Sequence, residues 1–456
     1  MILTKDRNFY KTLFMLAWPI ALQNLVTFAV GLADNIMIGA LGDTAVSGVY
    51  MSGQIQTLLQ VFSGGIEGAI LILSAQYWGR GDTDSIRKVV TVGLWFSVVF
   101  GSALTVVCSL FPASVLSLFT SDPDVIGAGA EYLSVLCLSF LFFCVTQALI
   151  AAMRSVESTR IGFYVSLCSL VTNIMLNYLL IFGRFGCPAL GIRGAAIATL
   201  SARILETAVI SVYVFFFDRK LKFRPKHILC VDRGLLGDFI RYGAPVIAGQ
   251  LVWAANMLTG SAIIGRFDKS VMAAVSVAGT MHNMCYVVMN GMAGAVGIIT
   301  GKTVGAGNTE KMKEYAVTVQ ILFLILGVLT SGAILLLRGP FLSLYRISPE
   351  ALRYAGQFIL ILSVTVIGTC YQCASLFGLV KSGGDVSFVL KNDAIFVFLV
   401  VLPSAYLVMR LGGAPWLVFA CLKSDQILKC IVAFFKIRKY DWMKNLTKDK
   451  KKPEKT

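Results

Sequence analysis

Long apolar stretches recur from one end of the chain to the other, and they restrict its fold more than any other feature. Most contain about 20 residues or more, enough for a helix rising about 1.5 Å per residue to cross a hydrocarbon layer about 30 Å thick. The backbone finds no water in that layer, so its N–H and C=O groups must pair within the same segment. The sequence therefore predicts an all-α polytopic membrane protein.

Twelve such stretches are present, each bounded by polar or basic residues. A transmembrane β-barrel would need segments of about ten residues with alternating polarity, and residues 94–110 show no such alternation. The twelve predicted transmembrane helices are 13–40, 46–78, 88–112, 125–153, 160–183, 190–217, 238–266, 270–301, 314–338, 350–380, 388–410 and 414–437.

The basic residues predict how the chain is oriented. With a cytoplasmic N-terminus, the cytoplasmic loops and the C-terminal tail collect most of the 40 Lys and Arg residues, as the positive-inside rule requires. We therefore expect a multi-pass protein of the cell (plasma) membrane with both termini in the cytoplasm. The net charge of +16 is concentrated in juxtamembrane segments such as 219–224 and 448–452. Anionic lipid headgroups of the bilayer, not nucleic acid, are the expected partner of these segments.

The two halves of the sequence repeat each other at a shift of 226 residues. At this shift Pro19 meets Pro245, and the glycine-containing loop that begins at Trp78 meets the one that begins at Val304. Each half holds six spans, an even number, so both copies cross the membrane in the same direction. We predict two six-helix bundles related by a parallel internal repeat.

A polar, basic stretch separates the two halves and marks the expected domain boundary. The predicted division is an N-terminal six-helix bundle at 1–217, a cytoplasmic linker at 218–241, a C-terminal six-helix bundle at 242–437 and a basic cytoplasmic tail at 438–456.

Asp34 is the leading candidate for a functional residue within a span. A carboxylate inside a membrane is costly, so it indicates function unless a structural partner explains it. Its counterpart in the repeat is Gly260, so only one half carries the acid. A lone buried carboxylate is suited to binding and releasing a proton or Na⁺, and Na⁺ is the only metal ion that we predict.

Other polar residues within the spans leave alternatives open. Asn173 and Asn177 lie one helical turn apart and present two amides on one face, for a cation or for contacts between helices. Glu67 is expected either to line a cavity or to form a buried ion pair. Arg203 and Glu206, spaced i, i+3, are more simply explained as a structural pair.

Further candidate residues for a cavity or a substrate site lie in the second half. They are Gln250 and His282. Asp425 and Lys429, spaced i, i+4, are expected to pair with each other.

The residues of a soluble catalytic centre are not evident. The chain has only two histidines, and no Ser/His/Asp arrangement or pair of metal-binding motifs is recognisable. The sequence therefore favours a membrane protein that is not an enzyme and needs no cofactor.

Several local motifs resemble those of one transporter family. They are Gln76-Tyr-Trp-Gly-Arg-Gly-Asp, Asn173-Ile-Met-Leu-Asn177 with the residues that follow, and Leu190-Gly-Ile-Arg-Gly-Ala-Ala-Ile-Ala-Thr199. Together with the repeat, they resemble the multidrug and toxic compound extrusion (MATE) family of cation-coupled exporters across nearly the entire chain.

The resemblance implies a site and an ion. It places Asp34, Asn173, Asn177 and Thr199 in a cation-coupling site of the N-terminal half, where the position of Asn177 is often Asp in the family. Some family members carry acids in the C-terminal half, but the comparable positions here are Trp253 and Cys370. The expected coupling ion is H⁺ or Na⁺.

The resemblance also implies a function. We expect a secondary active transporter that exports amphipathic, cationic organic compounds by proton or sodium antiport with alternating access, without an obligate protein partner. The alternatives are a flippase for lipid-linked oligosaccharides, an exporter of a narrow set of metabolites and a membrane receptor or scaffold that transports nothing.

Overall fold

The computed structural model describes residues 3–229, 232–345 and 347–447, without the side chains of Asp43 and Leu229. Within these residues the chain is helical, and the only β contact is an isolated bridge between Gly384 and Met443. The basic residues 448–452 and the rest of the predicted tail beyond them lie outside the described part.

Sixteen α-helices follow one another in the described residues. In the first half they are α1 (Arg7–Gly39), α2 (Asp43–Gly79), α3 (Thr83–Leu110), α4 (Pro112–Leu116), α5 (Pro123–Leu136), α6 (Ser139–Ser155), α7 (Arg160–Phe182) and α8 (Gly191–Val212). In the second half they are α9 (Arg233–Ile264), α10 (Lys269–Gly305), α11 (Thr309–Ser343), α12 (Pro349–Gln372), α13 (Val386–Ile395), α14 (Leu402–Arg410), α15 (Pro415–Leu422) and α16 (Asp425–Lys439).

Short π-helical segments extend some of these helices. Tyr213–Phe217 continues α8, Cys373–Lys381 continues α12, and Phe396–Val401 joins α13 to α14. A 3₁₀ helix at Pro225–Leu229 precedes α9.

Ten helical elements of the described residues are each long and apolar enough to cross a membrane. An eleventh crossing consists of α5 and α6, which are bent by 51° at the break between them. The twelfth predicted span, 414–437, is covered by α15 and α16, which follow each other directly around Lys423 and Ser424. The prediction of an all-α polytopic membrane protein with twelve transmembrane helices is confirmed.

Equivalent turns begin equivalent helices in the two halves. The Asp82 side chain accepts a hydrogen bond from the backbone N–H three residues later at 3.2 Å and caps α3. At the repeat position, Asn308 caps α11 with the same bond at 3.4 Å. Gly81 and Gly307 precede the caps with φ angles of +75° and +73°, a conformation that glycine adopts at little cost. The predicted repeat is therefore visible in the local backbone.

The described residues divide into two compact units. The N-terminal unit contains residues 22–74 and 82–247, and the C-terminal unit contains residues 3–21, 75–81 and 248–447. Part of the segment at 218–241 packs on α3 in the N-terminal unit, where Lys88 pairs with Asp232 at 2.9 Å. The domain boundaries derived from the sequence stay a prediction.

Close packing of α7 against α8 positions the polar residues of the N-terminal unit. Gly194, near the start of α8, lies so close to α7 that a Cβ atom there would come within 2.5 Å of the Leu180 carbonyl oxygen. A larger residue would force the two backbones apart, and with them the polar side chains within about two helical turns of this contact. Because Gly194 has no side chain, α7 and α8 lie close enough for their polar side chains to form hydrogen bonds with each other.

The residues after α16 form a strap, residues 440–447, on the C-terminal unit. Trp442 is fully buried, and Lys444 N–H donates to the Gly383 carbonyl oxygen at 2.8 Å. Leu446 N–H donates to the buried Gln76 side chain at 2.7 Å. These bonds tie the strap both to the loop before α13 and to the C-terminal end of α2.

Asp385 anchors the strap electrostatically. Its carboxylate accepts from Lys436 and from Lys444, each at 2.8 Å. Burial alone would raise the pKa of the Asp385 carboxyl, but the two lysines outweigh it and hold that pKa below its ordinary value. A carboxyl with a depressed pKa stabilises the folded state above its ordinary pKa, and this contribution is lost as the pH falls through the depressed value.

We predict that Asp385→Asn lowers the stability of the protein at pH 7, by about 1–3 kcal/mol, because two lysines lose their buried counter-ion. The difference from wild type should narrow below about pH 4, where the wild-type carboxylate itself takes up a proton. Thermal unfolding in detergent, at pH 7 and below about pH 4, measures the difference in stability between the variant and wild type. Asp84→Asn, which removes a largely exposed carboxylate paired with Arg87, is the control and should melt as wild type. Equal melting of Asp385→Asn and wild type at pH 7 would contradict the prediction.

Candidate functional site

Four residues predicted from the sequence form one hydrogen-bonded chain in the N-terminal unit. Asn177, on α7, donates through Nδ2 to Asp34 Oδ1 on α1 at 2.5 Å and to Asn173 Oδ1 at 3.1 Å. Asn173 in turn donates to Thr199 Oγ1 on α8 at 3.4 Å. Both asparagines and Thr199 are buried. The structure thus brings Asp34, Asn173, Asn177 and Thr199 together, while their role in ion coupling stays a prediction.

Helix geometry explains how the chain of bonds forms. Residues four apart on a helix lie one above the other on one face, so Asn173 and Asn177 both point from α7 toward α1 and α8. The close approach at Gly194 brings Thr199 within reach of that face. The i, i+4 spacing was visible in the sequence, but the pairing of Asn177 with Asp34 spans 143 residues and was not.

The Asp34 carboxylate is held by an amide and not by a cation. Among the described residues, no Lys or Arg forms an ion pair with it. Arg203 is close enough to interact electrostatically, but its guanidinium binds Glu206 Oε2 at 2.7 Å, as the i, i+3 spacing predicted. Glu206 therefore largely neutralises Arg203, and no ion pair among the described residues offsets a negative charge on Asp34.

One buried acceptor next to Asp34 has no donor. Asn177 uses both hydrogen bonds of its Nδ2 group, and its Oδ1 atom is buried without a hydrogen-bond partner among the described residues. An unsatisfied buried acceptor costs about 1–3 kcal/mol. A proton carried by a neighbouring group, or a bound cation, would satisfy it.

Tyr132 is a further member of this site that sequence reasoning missed. It lies on α5, is buried, contacts Thr199 and is within electrostatic range of Asp34. No sequence signal distinguishes it, because a single tyrosine in an apolar helix is ordinary packing.

A second polar cluster joins α1, α2 and α6 in the same unit. Arg154 donates to Glu67 Oε1 at 2.5 Å and to Gln23 Oε1 at 2.8 Å. The side chains of Arg154 and Glu67 are only 15% and 20% exposed. Of the two alternatives for Glu67, the structure shows the ion pair. Sequence reasoning missed Gln23 and the partner of Glu67, since neither pairing follows a spacing rule.

The remaining candidate residues lie in the C-terminal unit. Gln250 is part of α9, and His282, on α10, stacks on Tyr286 with ring centroids 6.0 Å apart. Neither belongs to the unit that contains Asp34. Lys429 binds Asp425 at 3.0 Å, as the i, i+4 spacing predicted, and also Asp393 at 2.9 Å, which the sequence did not indicate.

The described residues contain no group of three or more His, Cys, Asp or Glu side chains that is suited to a metal ion. The oxygen atoms near Asp34 are instead those of one carboxylate, two amides and a hydroxyl. Such neutral oxygens with a single charge suit a proton or a monovalent cation better than a divalent one.

Twelve membrane-spanning helices in two repeated halves, with a carboxylate held by amides inside one half, define a polytopic membrane transporter. The family model MatE matches residues 19–179 and again residues 245–407. The chain therefore belongs to the MATE family of membrane transporters. The second match begins 226 residues after the first, so the predicted internal repeat is confirmed.

Curated relatives cover most of the chain. The probable multidrug resistance protein NorM of Rhizobium meliloti is 28% identical over 331 residues, which are 70% of this chain and 69% of that protein. The probable multidrug resistance protein YoeA of Bacillus subtilis is 26% identical over 356 residues, 77% of each chain.

Solved structures share the fold at low identity. A mutant of the MATE transporter VcmN of Vibrio cholerae superposes with a TM-score of 0.87 at 18% identity, covering 95% of this chain and 97% of that one. A MOP superfamily transporter of Pyrococcus furiosus, described as having a binding pocket of reverse polarity that suggests a different function, gives a TM-score of 0.85 at 18% identity and covers 96% and 98%.

We predict that Glu67→Gln destabilises the protein by about 1–3 kcal/mol, because the partly buried guanidinium of Arg154 loses its counter-ion. The midpoint of thermal unfolding, followed by size-exclusion chromatography of heated samples, measures the effect. Glu131→Gln is the matched control, since its ion pair with Arg193 is 41% and 63% exposed and should contribute little. If Glu67→Gln unfolds at the same temperature as Glu131→Gln, the ion pair between Glu67 and Arg154 does not stabilise the fold.

Proposed function

We propose that this protein is a secondary active transporter that exports amphipathic organic compounds, probed most simply as cationic dyes, by antiport with H⁺ or Na⁺. The observation that carries the proposal is the pairing of Asp34 with Asn177, whose buried Oδ1 atom has no donor among the described residues. Family membership and the names of relatives such as NorM, a probable multidrug resistance protein, support it.

The chemistry of the site suits a proton. Inside a membrane the ionised form of a carboxyl is costly, and protonation of Asp34 removes that charge. A protonated carboxyl also gains an O–H donor, and Asn177 Oδ1 is a neighbouring acceptor that needs one. Uptake and release of a single proton therefore change both the charge and the hydrogen bonds of the α1–α7–α8 contact.

The same oxygens suit Na⁺ as the alternative coupling ion. The Asp34 carboxylate, the amide oxygens of Asn173 and Asn177 and the Thr199 hydroxyl are hard ligands, and one positive charge again neutralises Asp34. Only one of the four residues is an acid, so a single monovalent ion is enough to neutralise the site. The imposed gradient that drives export distinguishes the two ions.

Coupling requires that the bound ion favour one conformation over another. The helix that carries Asp34 also contains Pro19, whose missing N–H interrupts the helical hydrogen bonds and makes this position the natural place for α1 to bend. Neutralising Asp34 changes the contact between α1 and α7. The ion therefore acts directly on the part of α1 that follows Pro19 and not on the part that precedes it. Alternating access then follows if the bent and straight forms of α1 expose the substrate to opposite sides.

The proposed setting is the plasma membrane, with both termini cytoplasmic and the bilayer and a small organic substrate as the partners. The distribution of Lys and Arg residues supports the orientation. No cofactor, nucleic acid or obligate protein partner is part of the proposal.

We predict that Asp34→Asn folds and inserts but loses gradient-driven export, by about tenfold or more, because an amide takes up neither a proton nor Na⁺. Uptake of a fluorescent cationic dye into inside-out vesicles, under an imposed pH gradient or an imposed Na⁺ gradient, measures it. Uptake driven by only one gradient names the ion.

Asp124→Asn is the control, since this exposed acid in the first turn of α5 has no place in the site and should leave uptake unchanged. Uptake by Asp34→Asn at the wild-type rate would place coupling elsewhere. A wild type that takes up none of several dyes would overturn multidrug export in favour of a narrow-substrate exporter or a flippase.

A further inference from the structure

A lysine lies deep within the last transmembrane segment of the C-terminal unit. Lys423 joins α15 to α16, so it is about 12 Å along the segment from Pro415 and about 24 Å from Lys439. An ammonium group at such depth is costly and in membrane proteins commonly marks a pathway or a counter-ion for a ligand. Such a charge needs a partner supplied by the protein or by what the protein binds.

Within the described residues, no carboxylate forms an ion pair with Lys423. Its Nζ atom lies over the Phe419 ring at 5.9 Å, and no hydrogen bond or ion pair of this ammonium occurs within the described residues. The carboxylate nearest in sequence, Asp425, interacts with Lys423 only at longer range, because it binds Lys429 at 3.0 Å. Lys429 also holds Asp393 at 2.9 Å. Both carboxylates of this region thus already have a lysine.

The backbone at Lys423 departs from a regular α-helix. Gln426 N–H donates to the Lys423 carbonyl at 3.2 Å and Ile427 N–H to the Ser424 carbonyl at 3.1 Å, which are i→i+3 bonds of 3₁₀ type. Such tightened turns within a long helix often mark functional sites, and interrupted membrane helices frequently carry the substrate site of a transporter. The interruption in this segment coincides with the unpaired charge.

The side chains nearest to Lys423 include aromatic rings, and the acid in its range, Asp425, is paired with Lys429. His282 on α10 is within electrostatic range of Lys423 and stacks on Tyr286, with the rings inclined by 22°. On α9, Gly260 lies against Leu422, next to Lys423, and Gly260 is the repeat counterpart of Asp34. The C-terminal unit thus has no charge at the position that carries an acid in the N-terminal unit, and Lys423 is the residue that follows the Leu422 contact in the chain.

We propose that the C-terminal unit contains a binding site for the carboxylate of an amphipathic organic cargo, with Lys423 as the ionic anchor and Phe419, His282 and Tyr286 as its aromatic surroundings. The proposal rests on the proposed export function and adds a substrate class to it, namely zwitterionic or anionic amphipaths. A carboxylate would give Lys423 the counter-ion that it lacks, through a charge-assisted hydrogen bond.

A matched pair of ligands isolates the carboxylate. A cationic rhodamine methyl ester and the corresponding free acid, a zwitterion, differ only in whether this group is charged. Their binding to the purified full-length protein in detergent is measured by fluorescence anisotropy, which requires no transport. We expect wild type to bind the acid about tenfold or more tightly than the ester.

The variants test whether Lys423 causes this preference. Lys423→Met keeps a long apolar side chain and should lose about ten- to a hundredfold of the affinity for the acid, while its affinity for the ester is unchanged. Lys423→Arg keeps the charge and should bind the acid within about threefold of wild type. Lys439→Met removes an exposed lysine from the end of the same segment and is the control, with wild-type affinities expected for both dyes.

The outcomes separate this site from the export function. An equal acid-to-ester affinity ratio in wild type and Lys423→Met overturns the proposal, and so does a loss of acid binding in Lys423→Arg or an equal loss in Lys439→Met. Uptake of both dyes into inside-out vesicles is measured in parallel. Failure of wild type to transport either dye counts against export alone, while the affinity ratios still decide whether Lys423 binds a carboxylate.

Discussion

The absence of water from the hydrocarbon layer is the constraint on which the whole structure depends. It makes every described span helical, because only then are the backbone bonds satisfied within the segment. It acts equally on side chains: a charge in a span needs a partner supplied by the protein or by what the protein binds. Glu67 has Arg154, Glu206 has Arg203, and Asp425 has Lys429.

The presence or absence of an ion-pair partner distinguishes structural charges from functional ones. In the three pairs above, the two groups neutralise each other in the resting protein, so neither needs an ion or a ligand. Asp34 differs because its direct partner is the amide of Asn177, which holds the carboxylate in place without cancelling its charge. A buried charge that is oriented but not neutralised is poised to change its protonation or to take up a cation.

What the sequence could predict follows from the geometry of a single helix. Residues three or four apart share a face, and so the pairs Arg203–Glu206 and Asp425–Lys429 were predictable from spacing alone. The repeat likewise predicted that the loop at Trp78 corresponds to the loop at Val304, and in the structure Asp82 and Asn308 of these loops cap equivalent helices. Contacts between helices follow no such rule: Arg154 lies 87 residues from Glu67, and the tertiary packing of α2 and α6 alone decides that they meet. Tyr132 and Gln23 were missed for the same reason.

The repeat also explains why the two halves can differ in charge while they share a fold. Helix lengths, caps and close approaches depend on apolar residues, turn residues and glycines, and these are the positions that recur at the shift of 226 residues. The charge of a pocket depends on a few side chains that packing does not dictate. Where the N-terminal unit has Asp34, the C-terminal unit has Gly260, and the helix forms there without the acid. Lys423 adds a cation at the turn between α15 and α16. One scaffold can therefore hold a site for a cation in one unit and a site for an anionic group in the other, because each needs only one unpaired charge.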